Sequence, residues 1–286
     1  MIDYSHKFPV EKMCKVFNVS RSGFYKWRKC QTFKQQQVDK IDKLIKLEFE
    51  NSMGTYGSPR IAQALEKLEI ICSKSTVARR MNIMGIVARK KRKYKVTTQS
   101  NHNYKIAPNL LQRQFEVAIP ATVWVSDITY IRVGSSFVYL TVIIDLADRM
   151  VVGWSLSKTM STENTVMDAF EKAVVFRRPP KGLIFHSDRG VQYACHEFKR
   201  LLLKYEIKQS MSAKGDCWDN AVAESFFKTI KIEQLYNYTF SSFNQVYSIV
   251  FKYINGWYNT KRIHSTLNGL SPLQAFILKS NYLYAA

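Results

Sequence analysis

Three acidic residues stand in surroundings that argue for chemistry. Asp127 lies within Trp124-Val125-Ser126-Asp127-Ile128-Thr129-Tyr130, Asp188 within His186-Ser187-Asp188-Arg189-Gly190, and Glu224 within Asp219-Asn220-Ala221-Val222-Ala223-Glu224-Ser225-Phe226-Phe227. A carboxylate inside a strand costs desolvation unless it is paired or binds a metal. Asp188 reads as lying just past a strand end, where open α/β sheets take their ligands. Glu224 reads as an early residue of a helix that Asp219 can cap. Taken singly, each has an ordinary reading: an edge-strand charge, a turn residue, an acid favoured by the helix dipole. Taken together, three carboxylates from two strands and one helix can converge on one site of a sheet. Hard oxygen ligands of that kind select Mg²⁺ or Mn²⁺ over thiolate-seeking metals. Two such ions, roughly 3.5–4 Å apart, can stabilise the attacking and leaving oxygens of an in-line phosphoryl displacement.

The helix bearing Glu224 carries Lys228 four residues on and Lys231 seven on, so the three share a face, while Phe227 and Ile230 are spaced to reach a core. An exposed Glu–Lys pair would add only ~0.2–0.5 kcal/mol. The alternative is a metal-holding carboxylate with two lysines beside it that touch a phosphate strand. Asp145, a further acid of the same region, reads as a strand-end or turn residue.

The chain that must position these residues has 286 residues and a net charge of +21, of which +15 falls on residues 1–120 and +6 on residues 121–286. With 46% apolar and 13% aromatic residues it can build packed cores, which excludes a disordered polycation. A basic, globular chain points to a polyanion, with nucleic acid first. No run approaches the ~18 apolar residues of a spanning helix: the best, Phe137 to Ile144, is interrupted by Thr141 and stopped by Asp145. The first residues lack the apolar core of a signal peptide. The five cysteines form no CxxC pair and read as reduced thiols in a cytoplasmic protein.

Residues 1–35 read as a helix-turn-helix-like unit: a helix from Val10 to Phe17, a turn, and Ser20 capping a helix from Arg21 to Lys29. Residues 38–87 read as a second helix-turn-helix module. Val38, Ile41, Ile45 and Phe49 recur at helical spacing, Ser58-Pro59 opens another helix, and Ser75 can cap a last one from Thr76 to Met84, ended by Gly85. That last helix carries Lys74, Arg79 and Arg80 on or beside it, which suits entry into a major groove, although any small helical bundle would show the same periodicity. Residues 88–117 read as a basic arm, with Arg89, Lys90, Lys91, Arg92 and Lys93, followed by a linker. A solvated arm of this kind is a good phosphate binder.

Residues 118–286 change texture. Thr122–Val133, Phe137–Ile144 and Met150–Leu156 read as strands joined by links short enough to be antiparallel. A helix (Thr162–Phe176), a strand (Leu183–His186), a helix (His196–Tyr205), a strand (Ile207–Ser212), a helix (Asn220–Leu235) and a last long helix (Phe243–Trp257) follow. The expected class is α/β, a mixed sheet with an antiparallel first half, preceded by small all-α modules.

At this point the sequence resembles the bacterial insertion-sequence transposases with a retroviral-integrase-type DDE core, and more narrowly the second-reading-frame product of the group that transposes through circular intermediates. The strings WVSDITYI, HSDRGVQY, GDCWDNAVAESFFKTIK and YNTKRIHSTLNGLSP carry the resemblance, as do the 35 residues between Asp188 and Glu224. The resemblance covers nearly the whole chain and implies a ribonuclease H-like catalytic domain. It makes Asp127, Asp188 and Glu224 ligands of two Mg²⁺ ions, with Mn²⁺ a possible substitute. Lys231 is similar in position to an integrase lysine that contacts the DNA end, with Lys228 assisting. Arg262 and His264 would lie near the site, His264 either there or in a structural hydrogen bond. The implied activity is DNA cleavage at transposon ends followed by strand transfer, the alternatives being a nuclease that only hydrolyses and a non-catalytic DNA-binding regulator. The implied partners are double-stranded DNA, at least one further copy of the chain, and an upstream-frame product, since no long heptad segment is present here.

Overall fold

The computed structural model describes residues 2–88, 104–213 and 217–284. The chain divides into two compact units, residues 1–88 and 89–286.

The first unit is helical. α1 (Val10–Val16) is followed by α2 (Arg21–Asn51), whose N-terminus is capped by the Ser20 side chain accepting from the Gly23 N–H. α2 runs 31 residues without a break, through residues 36 and 37, where the sequence suggested a boundary between two modules. The reason is local: Gln31 to Gln37 contains neither Gly nor Pro, and its Gln and Lys residues favour helix. α3 (Ser58–Lys67) starts with Pro59 in its first turn, and α4 (Lys74–Ile83) is capped by Ser73, which accepts from the Thr76 N–H, not by Ser75. Gly85, at φ +67°, ends α4 as expected. Ile45, Ile61, Leu65, Val77 and Met81 are buried between these helices.

The second unit is built on a five-stranded sheet of order β3-β2-β1-β4-β5, made of β1 (Val123–Val133), β2 (Ser136–Asp145), β3 (Val151–Ser157), β4 (Ile184–Ser187) and β5 (Lys208–Met211). β1–β2 and β2–β3 are antiparallel, β1–β4 and β4–β5 parallel. The three strands with short links thus form the antiparallel half, as expected. α5 (Asp168–Arg177), preceded by a π turn at Glu163–Met167, packs on β3 across Gly153, where a Cβ would meet the Ala169 carbonyl oxygen at 2.2 Å. α6 (Val191–Ala194), too short to show in the sequence, and α7 (His196–Lys204) complete that side. Trp124, Ile143, Phe170, Phe185, Tyr193 and Phe198 form its core.

Side chains alternate across a strand. Trp124 therefore faces that core, while Asp127 and Thr129 face the other side, where α8 (Ala221–Glu233) lies. α9 (Phe243–Tyr253), a π turn at Ile254–Tyr258 and α10 (Pro272–Tyr284) follow. α10 lies beyond the helix read as the last long one; its first turn begins at Pro272, which costs no hydrogen bond there. Asp145, at the end of β2, is fully buried and accepts from the Ala121 and Ala147 N–H groups and the Trp124 indole, a strand-end lock rather than a site.

Candidate active site

β1 and β4 run parallel with Ser126 opposite Ser187. The next residue of each is an acid, so Asp127 and Asp188 emerge side by side, one strand spacing (about 4.8 Å) apart in backbone. The Asp127 carboxylate accepts from the Ile128 N–H at 2.8 Å, and that of Asp188 from the Gly190 N–H at 2.9 Å. Glycine at 190 permits the close approach, because a Cβ there would stand 3.0 Å from the Asp188 oxygen. Glu224 sits exposed in the first turn of α8. The helix is pinned beside Asp127 by Asn220, whose side-chain amide donates to the Ser126 carbonyl at 2.9 Å.

Electrostatics ties the three acids together. Burial raises the Asp127 pKa well above the ordinary 3.8, the charge of Asp188 adds to it and that of Glu224 more weakly, against an opposing Ile128 N–H and, more weakly, the charge of Lys231. Glu224 is raised by burial and then by Asp188, with Lys228 opposing. In both, burial is the larger cause and the charge of Asp188, at the end of β4, the next. Among the described residues, no three His, Cys, Asp or Glu side chains form a ready-made metal-ligand group. The donor set nonetheless suits a divalent cation: all-oxygen, anionic and mutually repelling, so that a cation removes the repulsion.

The surrounding loop is held from both ends. The Ser212 N–H donates to the Ser187 carbonyl, beside Asp188, and the Arg189 Nε–H to the Ser212 carbonyl. His186, whose pKa burial lowers to about 4, stays neutral between the hydroxyls of Ser210 and Ser212. Asp219, expected to cap α8, instead accepts from the Ala213 N–H, the Asn109 amide and the Arg113 guanidinium. Burial works against its charge, and these donors hold its pKa below the ordinary value all the same.

The basic residues singled out in the sequence divide. Lys228 is exposed on α8, one turn from Glu224. Lys231 is only 6% exposed; its ammonium donates to Thr129 Oγ1 at 2.6 Å and lies 5.6 Å from the Tyr130 ring centroid. It shares a helix face with Glu224 and Lys228, but at its level β1 covers that face. Arg262, 5% exposed, forks onto Glu233, and His264 accepts from it. Neither Lys231 nor Arg262 therefore points into solvent. In the helical unit Lys74 and Arg79 are exposed, whereas Arg80 is bound through two nitrogens to Asp42 of α2. Arg89, Lys90, Lys91, Arg92 and Lys93 lie outside the described residues.

Sequence reasoning overlooked Glu233, Asn220 and His186. Glu233 had a signal: it falls three residues after Ile230 and seven after Phe226, on the apolar stripe of α8, where an acid needs a buried partner.

Comparison with known proteins gives the family of this sheet domain. Residues 118–217 and 205–272 match two integrase core domain families, and residues 36–94 match an HTH-like domain, which begins inside α2. The chain is 39% identical over 261 residues to the 31 kDa protein of insertion element IS600 from Shigella sonnei, covering 91% of this chain and 96% of that one. It is 36% identical over 271 residues to the transposase InsF for insertion sequence IS3A from Escherichia coli, covering 94% of each. A solved HTLV-2 integrase catalytic core domain in complex with magnesium is similar at 20% identity and a TM-score of 0.43, over 55% of this chain and 97% of that one. The chain belongs to the insertion-sequence transposases with an integrase core, the enzymes of DNA transposition. Its catalytic domain is ribonuclease H-like, as the resemblance implied. Among the described residues no helix is long and apolar enough to cross a membrane.

Proposed function

We propose that Asp127, Asp188 and Glu224 are the catalytic acids, and that they hold the divalent cations, two Mg²⁺ or in their place Mn²⁺, for cleavage at the transposon ends and for strand transfer. The observation that carries this reading is the Ser126–Ser187 register, which puts Asp127 and Asp188 side by side while the charge of Asp188 also raises Glu224. Cations bound there would supply Lewis-acid stabilisation to the attacking and leaving oxygens of phosphoryl displacement. The chain's own residues do the positioning. Asp127 and Asp188 are oriented by the N–H groups of Ile128 and Gly190, and Glu224 by the Asn220 anchor at the start of α8. Lys228, exposed one turn from Glu224, would meet a phosphate next to the acids. In the helical unit Lys74 and Arg79, with the arm Arg89–Lys93, would grip duplex backbone, which fixes register more than it reads sequence.

The reaction is two displacements at one site: hydrolysis at the transposon end exposes a 3′-OH, and that 3′-OH then attacks a second phosphodiester. Two ends must meet, so at least a dimer is expected, with an upstream-frame product as a further partner and the bacterial nucleoid as the place of action. The test uses a labelled transposon-end duplex with Mg²⁺. Joined products from the native chain and none from Glu224→Gln support the assignment. Full joining by Glu224→Gln would overturn it, and cleavage without joining would limit the activity to hydrolysis.

A further inference from the structure

The C-terminal motif Tyr258-Asn259-Thr260-Lys261-Arg262-Ile263-His264 grips α8 at two levels. At the upper level the Tyr258 ring stands edge-on to Phe226, with centroids 4.8 Å apart, two residues past Glu224. At the lower level Glu233 and Arg262 are both buried, at 6% and 5% exposure. Arg262 Nε donates to both Glu233 oxygens, at 3.1 and 2.9 Å, and Nη2 donates to Oε1 at 2.7 Å. The Tyr253 hydroxyl donates to Glu233 Oε2 at 2.7 Å. Arg262 Nη1 lies 3.3 Å from His264 Nε2, with the guanidinium, which has no acceptor, as donor. The Tyr258 ring also meets the His264 ring edge-on at 4.9 Å. Burial alone would lower the Arg262 pKa, and the bonds to and charge of Glu233 more than reverse this.

A buried ion pair is poor evidence for stability, because a well-packed apolar pair serves as well or better. What the fork adds is direction. Any turn or slide of α8 about its axis breaks several of these bonds at once, whereas apolar packing yields gradually. Glu224 lies nine residues upstream on the same helix, so its position follows that of Glu233.

We propose that the C-terminal motif is a brace for α8, and that Arg262 is a positioning residue which sets Glu224 against Asp127 and Asp188 by holding Glu233. This rests on the assignment of Glu224 as a metal-holding acid. It opposes the alternative in which Arg262 contacts DNA directly.

The full chain carries the test, with Arg262→Gln, the milder Arg262→Lys and Tyr253→Phe, and Glu224→Gln as reference. Three quantities are read: end-duplex binding over a salt series in chelator, hydrogen exchange of residues 221–233, and joining over a Mg²⁺ series. Arg262→Gln should keep native end affinity and salt slope while exchange in α8 speeds up, by about tenfold or more, and that of β1 does not. Joining should fall by roughly ten- to a hundredfold, the cost of a displacement near 1 Å, and the half-maximal Mg²⁺ concentration should rise. Tyr253→Phe should move the same readouts less. Should Arg262→Gln not fold, Arg262→Lys and Tyr253→Phe decide. A salt slope reduced by about one with α8 protection unchanged would make Arg262 a phosphate contact. Native joining and a native Mg²⁺ midpoint despite a loosened α8 would end the brace. Full joining by Glu224→Gln would instead remove the metal-site assignment, whatever the Arg262 variants do.

Discussion

Lys231→Met separates two roles for one lysine. In the structure the Lys231 ammonium is buried against β1 and donates to Thr129 Oγ1 at 2.6 Å, two residues past Asp127. It is a tie between α8 and the strand that carries the first acid. A hydrogen bond with a charged partner contributes about 1.5–3 kcal/mol. Methionine keeps the packing of the stem and removes the desolvation cost of the ammonium, so the net loss should be near the low end, about 1–2 kcal/mol. A domain of this size shifts by about 2–4 °C per kcal/mol, which puts the fall in melting temperature at about 2–8 °C. Lys231 is also a cation that draws the Asp127 pKa down. Without it the effects of burial, Asp188 and Glu224 are less opposed, the Asp127 pKa rises, and an acid that works ionised needs a higher pH. The assay is joining of a labelled end duplex across pH at saturating Mg²⁺, beside binding of the same duplex over a salt series. The acidic limb of the joining profile should move upward while end affinity and its salt slope stay native, because a buried lysine neutralises no phosphate. A slope reduced by about one with an unmoved pH profile would show that Lys231 reaches a phosphate, and the internal-tie reasoning would be wrong.

Gly153→Ala should destabilise the catalytic domain by about 1–3 kcal/mol or more, since its Cβ would meet the Ala169 carbonyl oxygen at 2.2 Å and the Ala173 Cβ at 2.7 Å. Gly256→Ala, which meets nothing within 4 Å, should be neutral or stabilising by up to about 1 kcal/mol in the same calorimetric scan. Asp127→Asn should abolish joining yet stabilise the metal-free fold. Its folded pKa is raised, so the native acid costs nothing when protonated and loses stability as pH climbs from the unfolded value near 3.8 through the folded one. The gain should therefore vanish at low pH and persist above that window, and melts in chelator against Mg²⁺ should show Mg²⁺ narrowing the gap by stabilising the native chain alone. Arg80→Ala should lower the unfolding temperature of the helical unit through the loss of Asp42, whereas Arg79→Ala should leave it and reduce the salt slope of end binding by about one.

The three acids stood out because carboxylates are few in this apolar domain, and Asp127 falls inside a strand, where its charge must offset desolvation. The order of strands and helices was legible for a similar reason: period-two runs with short links leave few sheet arrangements. What the sequence left unread has two causes. Some are local ties. Ser73 and Ser75 stand two residues apart before the same helix and either can cap it, and nothing in Gln31 to Gln37 marks whether one helix or two pass there. Others are long-range. Arg80 finds its partner 38 residues away, Arg262 29 and Lys231 102, and no local spacing encodes those distances. Arg80 was read toward DNA as a basic residue on the last helix of its module, and Lys231 and Arg262 were placed near the DNA or the site by the family resemblance. Each instead turns inward because an acid or hydroxyl waits on a neighbouring element.

That inward turn changes what the +21 charge means. Cations bound to Asp42, Thr129 and Glu233 release no counterions from DNA, so the salt dependence of end binding counts only the outward ones. The inward ones instead serve geometry, and on α8 they are spaced to do so. The start of the helix is tied to β1 through Asn220 and Ser126, its last turn to β1 through Lys231 and Thr129, and its end to the C-terminal chain through Glu233 and Arg262. Glu224 lies between the first tie and the other two. It is also the acid most easily displaced by its neighbours' charge, being exposed and carried on a helix, whereas Asp127 and Asp188 belong to paired strands or their immediate continuation. A site that gathers three like charges must hold its least anchored member by polar contacts elsewhere on the same element, and α8 carries those contacts at both ends.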